Sequence, residues 1–158
     1  MPEQHPFERG PYLAVAVLCE KVLTEQDGVA SLIRIVDRVT HQAIGPNAPF
    51  SLAPFQYSLW MFLSFKSGNA RGTKDLTIRL QKPSGESPFA QTLPINFEGE
   101  DDRGANVVVQ LQIEIDMVGL WWFDISLDGI PVTRLPLRII YLRQTTQTQG
   151  PSFGGQPG

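Results

Sequence analysis

The stretch Val107-Val108-Val109-Gln110-Leu111-Gln112-Ile113-Glu114-Ile115-Asp116-Met117 decides the fold class. Val107, Val109, Leu111, Ile113, Ile115 and Met117 fall on every second position, and Gln110, Gln112, Glu114 and Asp116 fill the alternate ones. A period of two sends the two sets to opposite sides of an extended strand, whereas a helix would need a period near 3.6. The same alternation sets Leu76, Ile78 and Leu80 against Thr77, Arg79 and Gln81, and turns Trp121, Phe123, Ile125 and Leu127 inward. Antiparallel sheets with one dry and one wet face produce this pattern.

Turn signals separate such runs at short intervals. Asp27-Gly28 and Asp128-Gly129 suit tight hairpins that need positive φ, and Ser67-Gly68-Asn69, Pro83-Ser84-Gly85, the Glu98–Gly104 loop and Val118-Gly119 add further breaks. The one long connection is His41–Phe55, with Pro46, Pro49 and Pro54. Eight strands are expected, at 11–22, 31–40, 56–66, 73–82, 88–97, 105–117, 120–128 and 130–142. That rhythm predicts a single all-β domain, an antiparallel β-sandwich of immunoglobulin-like or C2-like type over residues 11–143, after a flexible leader at 1–10. The first run, Leu13–Cys19, does not alternate and is expected to be covered on both faces, while Pro136 marks an edge or a bulge. Residues 144–158 read QTTQTQGPSFGGQPG, an uncharged low-complexity tail expected to be disordered.

Composition narrows the function classes. With 158 residues the chain is one ordinary domain, long enough to bury its own core without disulfides. Its 13 basic and 16 acidic residues give a net charge of −3, which argues against a general nucleic-acid or anionic-membrane binder. Tyr12–Cys19 resembles a short secretory core, but Glu3 and Glu8 precede it where a signal needs positive charge, so a cytoplasmic protein is expected. No apolar run reaches the roughly 18 residues of a membrane span.

The chemical inventory is thin. The only histidines, His5 and His41, have no acid placed beside them by spacing, and no G-x-S-x-G, G-x-G-x-x-G or Walker pattern occurs. Cys19 ends an apolar strand and is expected to be a small buried hydrophobe rather than a reactive thiol. Glu98, Glu100, Asp101 and Asp102 are the densest acidic cluster, but they lack the D-x-D-x-D-G spacing of a calcium loop and are read as a solvated turn beside Arg103. Glu114, Asp116 and Asp124 are expected to share an outer face as cross-strand neighbours, with a carboxylate-based enzyme as a remote reading. Arg34, Arg38, Arg134 and Arg138 would form a basic stripe if their strands met. No catalytic residue, cofactor or metal is assigned.

The aromatic residues carry the functional expectation. Alternation in Leu120-Trp121-Trp122-Phe123-Asp124 turns Trp122 outward with Leu120 and Asp124, and Trp60 and Phe62 oppose Tyr57, Leu59, Met61, Leu63 and Phe65. Outward aromatics are enriched where proteins bind partners, so Trp122, Leu120, Trp60 and Phe62 are the candidate partner-binding residues, unless a loop such as 41–55 covers them. The expected function is a non-enzymatic interaction or assembly module binding another protein or itself, with a homo-oligomer among the expectations. A carbohydrate- or calcium-binding sandwich is the alternative.

Leu18-Cys19-Glu20, the Asp27-Gly28 turn, Ser31-Leu32-Ile33-Arg34-Ile35-Val36, the Pro-rich loop, Gly119-Leu120-Trp121-Trp122-Phe123 and Leu127-Asp128-Gly129 occur in that order. Over residues 11–142 the chain thereby resembles a family of small bacterial β-sandwich proteins of unknown function. The resemblance implies a sandwich fold and a bacterial, cytoplasmic origin. It brings no catalytic residues.

Overall fold

A computed structural model describes residue 3, residues 5–100 and residues 102–145. Nine strands form among the described residues: β1 (Tyr12–Thr24), β2 (Ala30–Ile35), β3 (Arg38–Ile44), β4 (Phe55–Lys66), β5 (Arg71–Gln81), β6 (Phe89–Glu98), β7 (Gly104–Ile115), β8 (Gly119–Leu127) and β9 (Ile130–Gln144). They make a four-stranded sheet in the order β2-β1-β4-β7 and a curled five-stranded sheet in the order β3-β9-β8-β5-β6. No helix occurs among the described residues.

The alternating runs face each other across one core. Leu59, Met61, Leu63 and Phe65 of β4 meet Leu76, Ile78 and Leu80 of β5 and Trp121, Phe123 and Ile125 of β8, all buried. Each such side chain taken from water contributes about 1.5–3 kcal/mol before chain entropy is charged against it. Trp121 brings a polar atom into this core, and its indole Nε1–H donates to the Met117 carbonyl at 3.2 Å. Residues 45–54 close one end: Ala48 and Leu52 reach the core, and the Tyr141 hydroxyl donates to the Pro49 carbonyl at 2.6 Å.

The expected second strand, 31–40, is two strands in different sheets. Alternation slips at Ile35-Val36, where Arg34 takes a positive φ of 54° and ends β2. The Val36 N–H then donates to the Leu18 carbonyl in the four-stranded sheet, while the Asp37 carbonyl accepts from the Arg138 N–H in the other. Having crossed, the chain runs alongside β9 in the same direction, pairing Arg38 with Arg138 through to Ile44 with Gln144. The expectation of eight strands, all antiparallel, is therefore corrected to nine strands with one parallel pair, and the long loop shrinks because His41–Ile44 belong to β3. Pro136 lies two residues before β3 joins β9, where that side of β9 has no β3 partner, so its missing N–H interrupts no β3–β9 bond.

At the other termini, the Asn69 N–H donates to the Glu8 carbonyl at 2.8 Å, tying the segment expected as a leader to the β4–β5 turn. Gly10 lies so close to the Ser67 carbonyl that a Cβ there would stand 2.0 Å from its oxygen. The expected tail extends β9 through Gln144, and its residues from 146 onward lie outside the described residues.

The β8–β9 turn is clasped to β5. Asp128 and Gly129 both take positive φ, the Asp128 N–H donates to the Asp75 carbonyl at 2.8 Å, and Asp128 Oδ1 accepts the Asp75 N–H at 2.7 Å. That backbone bond holds the Asp128 carboxyl below its ordinary range, with Lys74 adding to the effect. A carboxyl whose folded value is depressed contributes stability that is present above the unfolded value, near 3.9, and lost as pH falls through the folded value. Asp128→Asn should therefore lower the urea midpoint at neutral pH, and its gap from the parent chain should close as the pH is taken down through that window.

Candidate functional site

The outer face of the five-stranded sheet is organised in cross-strand rows. One row joins Arg79 of β5, Asp124 of β8 and Arg134 of β9, and the next joins Gln81, Trp122 and Pro136. Beyond them Leu120 lies opposite Arg138, which pairs in turn with Arg38 of β3, and on the other side Thr77 lies opposite Ser126. A shift of register between Ile125 and Ser126 produces the Asp124–Arg134 pairing.

Arg134 is fixed by three contacts. Its Nε donates to Asp124 Oδ1 at 2.6 Å, its Nη2 donates to Gln81 Oε1 at 3.1 Å, and its guanidinium carbon stands 4.3 Å from the Trp122 ring centre. A flat cation over an indole face is attracted by the ring quadrupole, worth about 0.5–1 kcal/mol at exposed sites and more when desolvated. Arg79 is steered by Ser87: its Nε donates to Ser87 Oγ at 3.0 Å, and that hydroxyl donates to the Leu80 carbonyl at 2.7 Å. Among the described residues Arg79 and Arg138 have no carboxylate within ion-pair distance, whereas Asp124 is already bonded to Arg134.

An open groove of about 830 Å³ lies along these rows, lined by Thr77, Arg79, Asp124, Ser126, Thr133 and Arg134 among others. Beyond Arg134 a smaller hollow of about 310 Å³ continues over Trp122 and Leu120 to Pro83 and Gly85. Ala90, Pro131 and Val132 give the groove an apolar wall beside its guanidinium and hydroxyl donors, and a half-buried indole follows in the hollow. His41 stacks on Phe55 at 4.4 Å, and Cys19 is fully buried.

The four aromatic and aliphatic residues expected to bind partners divide between two faces. Trp122 and Leu120 line the smaller hollow beyond Arg134, half-buried. Trp60 and Phe62 point from the outer side of the four-stranded sheet, where Phe62 is only 7% exposed. There Cys19, Val22 and Phe62 form a second apolar cluster with Val17, Ala30, Leu32 and Trp60. The cluster is built by cross-strand neighbours within the sheet, Val17 opposite Phe62, Cys19 opposite Trp60 and Val22 opposite Leu32, and residues 41–55 take no part in it.

The carboxylate grouping is corrected. Glu114 pairs with Gln56 in the four-stranded sheet, Asp124 lies in the other sheet, and Asp116 accepts from Lys82 Nζ at 2.7 Å. That bond raises the Lys82 ammonium above its ordinary range. The stripe is corrected too: Arg38 and Arg138 pair, but Arg34 sits in the other sheet and bonds to Glu20 at 3.0 Å. In the acidic turn, Arg103 bridges Glu98 at 2.9 Å and Glu100 at 3.0 Å, Asp102 is exposed, and Asp101 lies outside the described residues. No cluster of three metal-ligating side chains occurs among the described residues. Alternation put Arg79 outward without showing that it flanks the Asp124–Arg134 pair; that needs the order of β5, β8 and β9, which alternation does not give.

Residues 14–140 match the model of a family of unknown function, DUF6941, and the chain belongs to that family. No curated protein matches it. Among solved structures it is similar to the Pseudomonas fluorescens alkylpurine DNA glycosylase AlkC bound to DNA containing an abasic site analog, at 9% identity and a TM-score of 0.38. The match covers 79% of this chain and 30% of that one, and at this score it supports neither a shared fold nor a shared activity.

The second apolar cluster makes a stability prediction. Phe62→Ala should cost about 3–5 kcal/mol in urea unfolding, as for other buried phenylalanines. Burial pushes the Cys19 thiol up from its ordinary range, so in the parent chain a disulfide reagent should label it only as fast as the fold opens, and faster in Phe62→Ala.

Proposed function

We propose that the chain is a non-enzymatic interaction module that binds another protein along the outer face of its five-stranded sheet, with Trp122 at the centre. The observation that carries this reading is Arg134 held between Asp124 and the Trp122 ring, beside an open groove and an Arg79 with no acidic partner among the described residues. Tryptophan and arginine lead the residues that dominate binding energy at protein interfaces, and prior fixation reduces the entropy lost on docking. A groove open along its length accommodates an extended segment. Arg79 and Arg138 favour one that carries acidic side chains, because a guanidinium takes a carboxylate through two parallel hydrogen bonds. On this reading the two sheets are an immunoglobulin-like or C2-like sandwich in a cytoplasmic protein, and the sandwich is the scaffold that holds the rows in register.

A second reading, a carbohydrate in the same groove, is favoured by the hydroxyls of Thr77, Ser126 and Thr133 along its wall. It ranks lower because Arg134 already occupies a face of the Trp122 ring on which a sugar would stack.

The test is affinity capture from a lysate of the native host, with Trp122→Ala and Arg79→Ala beside the parent chain. A stoichiometric partner should be captured by the parent, lost with Trp122→Ala and weakened with Arg79→Ala, more so as salt is lowered, since the lost term is electrostatic. Capture unchanged in a folded Trp122→Ala chain would contradict the assignment of this face.

A further inference from the structure

Every sheet that is not closed into a barrel ends in strands whose outer N–H and C=O groups are unpaired, and proteins blunt such edges with short strands, kinks, prolines or basic side chains. Three edge strands here follow the rule. β2 has six residues and ends around the positive φ of Arg34, β3 has seven residues and opens on Arg38, and β6 contains Pro94. β7 does not. It has twelve residues, Gly104–Ile115, with no proline, lysine or arginine, and it pairs with β4 from Lys66–Gly104 to Phe55–Ile115 without a register shift. On its far side no strand among the described residues pairs with it. Glu114 is its one ionisable side chain, and Val108 stands 40% exposed beside Phe62 on the outer face.

We propose that β7 pairs with β7 of a second copy of this chain, antiparallel about a twofold axis through Gln110. A twofold contact must be self-complementary, since each residue i that meets j is also met by it. Centring on Gln110 engages every residue from Ala105 to Ile115 and keeps the faces in phase. On the inner side Val109 meets Leu111 and Val107 meets Ile113, and on the outer side Val108 meets Gln112 and Asn106 meets Glu114. The two carboxylates therefore each face an amide instead of one another, and no like charges lie opposite, which would destabilise the pair. The result is one continuous sheet built from both four-stranded sheets, with the Val108 side chains brought toward the middle of its outer face. Phe89 and Gln91 of β6 approach β7 at Gln110–Ile113 across a cleft of about 60 Å³ but make no strand pairing with it. This surface is separate from the groove at Trp122, and the inference stands apart from the proposal made for it.

Sedimentation of the full chain over a concentration series, with Gln110→Lys, Gln110→Cys and Gln112→Cys beside it, tests the pairing. Gln110 is exposed, so its replacement leaves the melting temperature of the single chain unchanged, which thermal unfolding at the lowest concentration of the series verifies. The parent should approach twice the single-chain mass as concentration rises, and Gln110→Lys, which sets two ammonium groups opposite each other on the axis, should remain single. Mild oxidation should link two Gln110→Cys chains and leave Gln112→Cys unlinked, because only position 110 meets itself. A single-chain mass at every concentration, a dimer indifferent to Gln110→Lys, or linkage through position 112 in place of 110 would overturn the proposal.

Discussion

The register shift between Ile125 and Ser126 determines what the five-stranded sheet shows to solvent. A plain two-residue turn at Asp128-Gly129 would continue the pairing of Leu127 with Ile130 and Ser126 with Pro131, placing Thr133 opposite Asp124. One extra residue in β9 brings Arg134 there instead. The bulge also sets the alternation of β9 beyond it, so that Leu137 and Ile139 enter the core while Arg134, Pro136 and Arg138 face out. Because strand side chains have a period of two, a slip of one residue exchanges dry and wet faces. The Arg134–Asp124 bond and the Arg134–Trp122 stack both follow from that insertion.

The two outer faces are put to different uses. On the four-stranded sheet, Cys19, Phe62 and their neighbours on β1, β2 and β4 bury apolar surface against one another, so that face adds to stability. On the five-stranded sheet the middle rows carry Arg79, Arg134 and Arg138 against Asp124, a local excess of positive charge in a chain whose net charge is −3. Such segregation concentrates the field over one face instead of averaging it away. The aromatic residues follow the same division: Phe62 is consumed by packing, whereas Trp122 lines the hollow beyond Arg134.

Much of the strand inventory was legible because alternation reports a half-buried strand directly: Val107–Ile115 and Trp121–Leu127 lie where their periodicity puts them. Trp122 was likewise placed on the outer face with Asp124 by alternation alone. What alternation does not encode is which strands meet. Ser31–Thr40 reads as one strand because its apolar residues continue across the kink at Arg34, and only hydrogen bonds to Leu18 and Arg138 reveal that the chain changes sheets. The three-residue row centred on Asp124 needs both the bulge and the β5-β8-β9 order. The grouping of Glu114 with Asp124 failed for the same reason, since neighbours in sequence belong to different sheets.

The three tryptophans provide a built-in reporter, one for each environment: Trp121 in the core, Trp60 on the four-stranded sheet and Trp122 at the groove. The most direct test of the recognition face is to follow their indole N–H resonances by heteronuclear NMR while a glutamate-rich peptide is titrated into the labelled chain. The account predicts that the Trp122 resonance moves progressively while those of Trp121 and Trp60 hold still. Movement confined to Trp60, or no movement of Trp122 at saturating peptide, would contradict it.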